Sequence, residues 1–244
     1  MTRDRSPLRY VPWLALDIVK VQLALFATVA VGLPLVILRL QKSMGTAPEA
    51  AVVQSGTFTA VLTIAVLMAI GGAIGGDLKG GYYRAWFSKP ISPWWYYLQR
   101  WLLGGIAVLL APLMLGGVLA LVLHRGSGIT GDLMLTVALG YLLVGSACLL
   151  FSNFTARDWL VVFLLSFMQQ RLAQVVEASG NFGVTLPTWL VWLEKTLPPF
   201  HLINAMKPAL HGNELLHVLG YGVAMLAAAL VIVQVRPLGS GGRA

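Results

Sequence analysis

Trp101–His124 reads WLLGGIAVLLAPLMLGGVLALVLH and holds no Asp, Glu, Lys or Arg. About 20 apolar residues, rising 1.5 Å each, cross the roughly 30 Å hydrocarbon core of a bilayer, so this stretch is long enough to span one. Val21–Leu38, Ala50–Gly76, Leu133–Ala156 and Leu215–Val235 have the same character, each 18 residues or longer and uncharged. Composition agrees. Of 244 residues, 58% are hydrophobic and 11% are charged, against roughly 25% charged in a soluble domain. A surface facing water needs charge that this chain lacks, whereas a surface facing lipid does not.

A sixth span is harder to read. Trp159–Gln170 is uncharged but covers only about 18 Å. To cross, its helix must continue through Arg171, Gln174 and Glu177, and an odd number of spans would leave the charge pattern inconsistent. The expected fold is therefore an all-α integral membrane protein with six transmembrane helices, a single domain over 1–244. Its spans are 18–38, 52–76, 98–123, 133–152, 159–178 and 215–235. With the N-terminus inside, eleven Lys and Arg fall on the inner side and six on the outer. That bias puts both termini in the cytoplasm and the chain in the plasma membrane.

The net charge of +8 has a topological origin on this reading. The basic residues lie between apolar runs rather than along a stripe, so no nucleic-acid partner is expected. The single cysteine, Cys148, lies in an apolar run and reads as a small buried hydrophobe. Arg39 and Lys42 follow the first apolar run where a small-residue cleavage site would stand, so that run reads as a retained helix.

Three connecting segments are more than turns. Residues 8–20 mix Tyr10, Trp13, Leu14 and Leu16 with Arg9, Asp17 and Lys20, the pattern of an amphipathic helix on the inner face. The inner loop 77–97 is rich in aromatics and carries Pro90 and Pro93. It predicts a short amphipathic helix over 78–88, then a new helix capped by Ser92 with Pro93 at its first position. The outer segment 179–213 is apolar but punctuated by Pro187, Pro198, Pro199 and Pro208. It predicts two short helices re-entering the outer leaflet. Gly72 and Gly76 form a small-xxx-small pair suited to close helix packing.

Enzyme chemistry finds little support. There is no phosphate-binding G-x-x-x-x-G-K-[ST] loop and no H-E-x-x-H, and His124, His201, His211 and His217 are scattered at outer helix ends. No catalytic residue and no metal site are expected. Ser146 and His217 sit on the two spans that a rhomboid-type intramembrane protease would use, but Gly145 directly precedes Ser146, where that family has G-x-S. Gln170, Arg171, Gln174 and Glu177 follow helical spacing on the fifth span. They line a solute path or outer gate if the helix continues, and are simply wet if it ends near Gln170.

The inner loop resembles that of the membrane subunit of a type-2 ABC transporter permease. The family has an acidic residue, a glycine a few positions on, a short helix ending near Ser-x-Pro, and a polar-aromatic entry to the third span. Here those features are Asp77, Gly81, Ser88-Lys89-Pro90 and residues 92–97. Two positions depart from the family: Pro93 replaces a common basic residue, and the acid is Asp rather than Glu. The resemblance extends to the inner N-terminal helix, the six spans, and Leu197-Pro198-Pro199-Phe200-His201 in the outer segment. It implies a permease subunit of an exporter that pairs with a second permease copy and with a cytoplasmic ATP-binding cassette subunit. ATP would be bound by that partner, and no cofactor by this chain. The coupling residues it implies are Asp77, Gly81, Tyr82, Arg84, Trp86, Lys89 and Pro90. The alternative is a secondary transporter or channel, disfavoured because the other spans hold almost no ionisable residues away from their ends.

Overall fold

The computed structural model describes residues 11–12, 14–16, 19, 65–67, 69–81, 92–123, 131–183, 185–204 and 212–235. Among them every regular element is a helix. In chain order these are α1 (Ala73–Lys79), α2 (Pro93–Leu123), α3 (Gly131–Ser152), α4 (Asp158–Phe182), α5 (Thr188–Thr196), α6 (Phe200–Asn204) and α7 (Asn213–Val235). Among the described residues, α3, α4 and α7 are long and apolar enough to cross a membrane, which fits an integral membrane protein. Almost all of the first expected span and most of the second lie outside the described residues. The N-terminal stretch is helical where described, with Leu14 in the core and Leu16 and Val19 exposed; the charged residues of the expected amphipathic helix lie outside the described residues.

α3 is the axis of the bundle. Its most apolar window is 56% buried, against 22% for α7 and 11% for α4. α7 packs along α3, α2 and α4 flank it, and α6 covers part of it. A helix apolar on all sides, as α3 is, belongs at such a centre. Its contact with α2 depends on Gly104 and Gly105. A Cβ on Gly105 would lie 2.7 Å from Tyr141 Cε1, and one on Gly104 2.9 Å from Tyr141 Oη. The bare backbone of α2 lets the Tyr141 ring lie flat against it, and the Tyr141 hydroxyl donates to the Trp101 carbonyl. Cys148 is fully buried on the same helix.

The helix ends have local causes. α2 begins at Pro93, as the Ser92-Pro93 pair predicts, and the Ser92 carbonyl accepts from Tyr96 N–H at 3.3 Å. α3 stops at Ser152, where the Asn153 side-chain amide turns back toward the carbonyls of Leu149 (3.1 Å) and Leu150 (3.3 Å) and reaches Ala229 on α7 (3.4 Å). α4 runs unbroken for 25 residues to Gly183, which has φ +65 and closes the helix. The fifth helix thus does continue through Arg171, Gln174 and Glu177. α5 starts after Pro187 and ends before Pro198-Pro199, and α6 follows at once. Residues 179–213 do hold two short helices.

Two expectations fail near the inner loop. The second helix is not continuous to residue 76: residues 65–70 are helical where described, the chain turns at Gly71–Gly72, and α1 then carries on to Lys79. Gly72 adopts φ +68, a left-handed conformation that glycine enters without steric cost. The helix expected over 78–88 does not begin at Leu78, because Leu78 and Lys79 end α1, and residues 82–88 lie outside the described residues. α1 closes at Gly80, and Gly81 has φ +70.

Candidate functional site

The break at Gly72 creates a new helix start inside the protein. The first N–H groups of a helix have no partner within it, and burying them unpaired is costly. Two side chains from other helices supply the acceptors. Gly72 N–H lies 2.8 and 2.9 Å from the two carboxylate oxygens of Asp158, at the head of α4. Ile74 and Gly75 N–H each donate to Ser152 Oγ, at the end of α3, at 2.9 Å. Asp158 also accepts from Trp159 N–H at 2.8 Å, so one carboxylate serves two helix starts. The approach is close because Gly75 has no side chain. A Cβ there would lie 2.7 Å from Ala156 Cα. Gly76, by contrast, faces open space. The tight packing contact is therefore made at Gly75, and a Cβ on Gly72 would meet only the Ala156 carbonyl oxygen at 3.6 Å, so the Gly72/Gly76 pair that spacing suggests is not the packing pair.

The far end of α1 is tied as well. Asp77 Oδ2 accepts from Tyr97 Oη and pairs with Arg100 Nη1, both at 3.3 Å. Arg100 Nη1 also reaches the Ala73 carbonyl at 3.3 Å. Burial pushes the Asp77 carboxyl above its usual range, against the pull of the Arg100 guanidinium and the Tyr97 and Arg100 hydrogen bonds. α1 is thus pinned to α3 and α4 at its start and to the head of α2 at its end. Asp77 is a tether within the bundle rather than a free surface group. Gly81 lies in the turn just beyond. Tyr82, Arg84, Trp86, Lys89 and Pro90 lie outside the described residues.

Further along α4 lies the predicted polar group. Gln170 is half-buried, while Arg171, Gln174 and Glu177 are exposed. Arg171 Nη1 donates to Gln174 Oε1 at 3.2 Å, and its guanidinium lies 5.1 Å from the centre of the Phe167 ring. Beside this group the buried polar residue is the preceding one, Gln169. Its Oε1 accepts from His201 N–H at 2.8 Å, and its Nε2 meets His201 Nδ1. His201 Nε2 in turn lies 4.0 Å from Glu194 Oε1 on α5. His201 is therefore not a solvated helix-end histidine. With Gln169 it holds the α5–α6 pair onto α4, and Tyr221 Oη adds a bond from α7 to the Thr196 carbonyl at 2.8 Å.

Sequence reasoning missed Asp158, Ser152 and Gln169 as polar anchors. Asp158 gave a faint signal, an acid opening an apolar run, which is an ordinary helix start. Its bond to a glycine 86 positions earlier has no local signature. Ser146 is fully buried, its hydroxyl has no hydrogen-bond partner among the described residues, and His217 stacks on Tyr221 at 5.0 Å, so the two do not form a hydrogen-bonded dyad. Among the described residues no group of three or more His, Cys, Asp or Glu is placed to hold a metal ion. No known family, curated protein or solved structure matches the chain.

Proposed function

We propose that the chain is the membrane-spanning permease subunit of an ABC-type exporter, working as one of two permease copies with a separate cytoplasmic ATPase. The observation that carries this reading is the double anchoring of α1. Residues 82–91 directly follow a short helix clamped by Asp158 and Ser152 at one end and by Tyr97 and Arg100 at the other. A force on residues 82–91 would be delivered to α2, α3 and α4 together. The aromatic and basic residues of that segment are of the kind that anchors protein interfaces. On this reading ATP closes the ATPase dimer, the inner loop transmits the motion, and a path between two permease copies changes its access. The six spans, the cytoplasmic termini and the re-entry of α5–α6 into the outer leaflet belong to the same proposal.

A second copy is supported by α4. It is the least buried of the three candidate spans, yet it exposes Arg171, Gln174 and Glu177. Ionisable groups in membrane helices face protein or water-filled space rather than lipid. The test is whether a separate ATPase subunit co-purifies with the chain. Trp86→Ala and Arg84→Glu should each weaken the complex and uncouple ATP hydrolysis from transport, and intact coupling in both would remove the assigned role. The mid-span Arg171 also favours a second reading, a gradient-driven transporter. Uptake by the purified chain alone under a proton or sodium gradient would select it.

A further inference from the structure

Arg171 sits thirteen residues beyond Asp158 and eleven short of Phe182 on α4. At 1.5 Å per residue that is about 20 Å from one end and about 16 Å from the other. Its Cα is therefore near the middle of α4, and on the reading of α4 as a span over its full length it lies near mid-depth. Side chains on a helix lean toward its N-terminus, and Arg171 does so, its guanidinium lying over Phe167, one turn back. The head group is thus turned away from the Phe182 end and is too far from the other end to snorkel to water. Among the described residues no carboxylate lies within ion-pairing distance of it.

A second copy does not neutralise it either. In a parallel two-fold dimer that sets α4 against its copy, Arg171 would meet a like residue at the same level. Glu177 stands six residues, about 9 Å, further along the axis, in the direction away from which the arginine leans. Two guanidinium groups facing one space at mid-depth form a site for an anion, because charge in a low-dielectric region demands a partner. The residues on the same ridge describe the rest of the ligand. Trp159, Phe163, Phe167, Arg171 and Val175 recur every four residues, and all five are exposed. Three aromatic side chains thus lead up to one cation.

We propose that this ridge binds an anionic amphiphile, with a carboxylate, phosphate or sulfate on Arg171 and an apolar body along Phe167 and Phe163. Gln174 holds the guanidinium from the far side. The proposal rests on reading α4 as the wall of the transport path, and it names the class of substrate that the wall selects. Binding needs no ATPase. A chain that holds the anion but recruits no ATPase would overturn the coupling mechanism and leave this site standing.

The test uses the full chain in phosphatidylcholine nanodiscs, titrated with radiolabelled laurate and with dodecyltrimethylammonium, which has a tail of the same length and the opposite charge. Laurate should bind saturably and at least about ten-fold more tightly than the cation, a margin of about 1.4 kcal/mol. Arg171→Gln should lose that margin. Lys195→Gln, which removes an equal charge from α5, should keep it. Arg171→Lys should retain part of it and guards against misfolding of the glutamine variant. Displacement of laurate by phosphatidylglycerol would extend the site to lipid headgroups, and a lack of displacement would restrict it to single-tailed anions. Equal binding of the two amphiphiles by the wild-type chain, or equal laurate affinity in Arg171→Gln and Lys195→Gln, overturns the proposal.

Discussion

The carboxylate of Asp158 lies 2.8 and 2.9 Å from the backbone nitrogen of Gly72, joining the head of one long helix to a break in another 86 positions earlier. Gly72 provides the left-handed turn, and Asp158 provides the acceptor that lets a buried helix restart there. Neither feature is stable without the other. A break with unpaired N–H groups would be penalised by burial, and a buried carboxylate without donors would be penalised by desolvation.

Replacing Asp158 with Ala should therefore cost roughly 2–3 kcal/mol, because it strands Gly72 N–H and removes the acid from the start of α4. Asp158→Asn keeps one acceptor oxygen and should cost less. Thermal unfolding in neutral detergent ranks the two, and equal stabilities would mean that the carboxylate contributes nothing as an acceptor.

The glycines of this stretch should separate cleanly. Gly75→Ala drives a methyl group to 2.7 Å from the Ala156 backbone and should destabilise by about 1–3 kcal/mol. Gly76→Ala enters open space and should be neutral or gain about 0.5–1 kcal/mol from helix propensity. The reverse order of melting temperatures would restore Gly76 as the packing residue.

Gln169→Leu should loosen the outer helix pair rather than the bundle. It removes the acceptor for His201 N–H and the contact with the imidazole, at a cost of roughly 1–3 kcal/mol. Limited proteolysis should cut faster within residues 185–199, while fragments containing α3 and α7 persist. Unchanged cleavage would show that the Pro198-Pro199 corner holds the pair by itself.

Asp77 should leave a pH signature. Its carboxyl is raised in the folded chain from an ordinary 3.8, chiefly by burial. The folded state therefore binds the proton more tightly than the unfolded chain. The associated stability is full below 3.8 and falls as pH rises through the folded value. The stability of the wild type minus that of Asp77→Asn should accordingly decline from pH 3.5 to 7. A difference that grows with pH would make the Arg100 attraction the larger effect.

Orientation is open to direct labelling. Lys79, at the end of α1, and Lys195, on α5, are both exposed, and the inner-loop assignment puts them on opposite sides of the membrane. An impermeant amine reagent added to intact cells should modify Lys195 and spare Lys79. Labelling of Lys79 from outside would remove the proposed ATPase docking.

The sequence by itself determined where most of the described helices lie. Uncharged runs predict α3 and α7 within a few residues, and prolines mark the ends of the short α5–α6 pair, because both signals act locally: hydrocarbon thickness on length, and the missing N–H of proline on continuity. The polar stripe on α4 was legible for the same reason, since helical spacing needs no partner to be seen.

Tertiary structure alone decided how those helices are joined. That Gly72 breaks its helix, that Ser152 and Asp158 receive the freed N–H groups, and that Gln169 is the buried member of its pair while Gln170 is not are outcomes of packing between segments 32 to 86 positions apart. A side chain's hydrogen-bonding capacity is written in its identity. Its partner is set by which backbone group burial leaves unsatisfied, and that is known only once the helices are in contact.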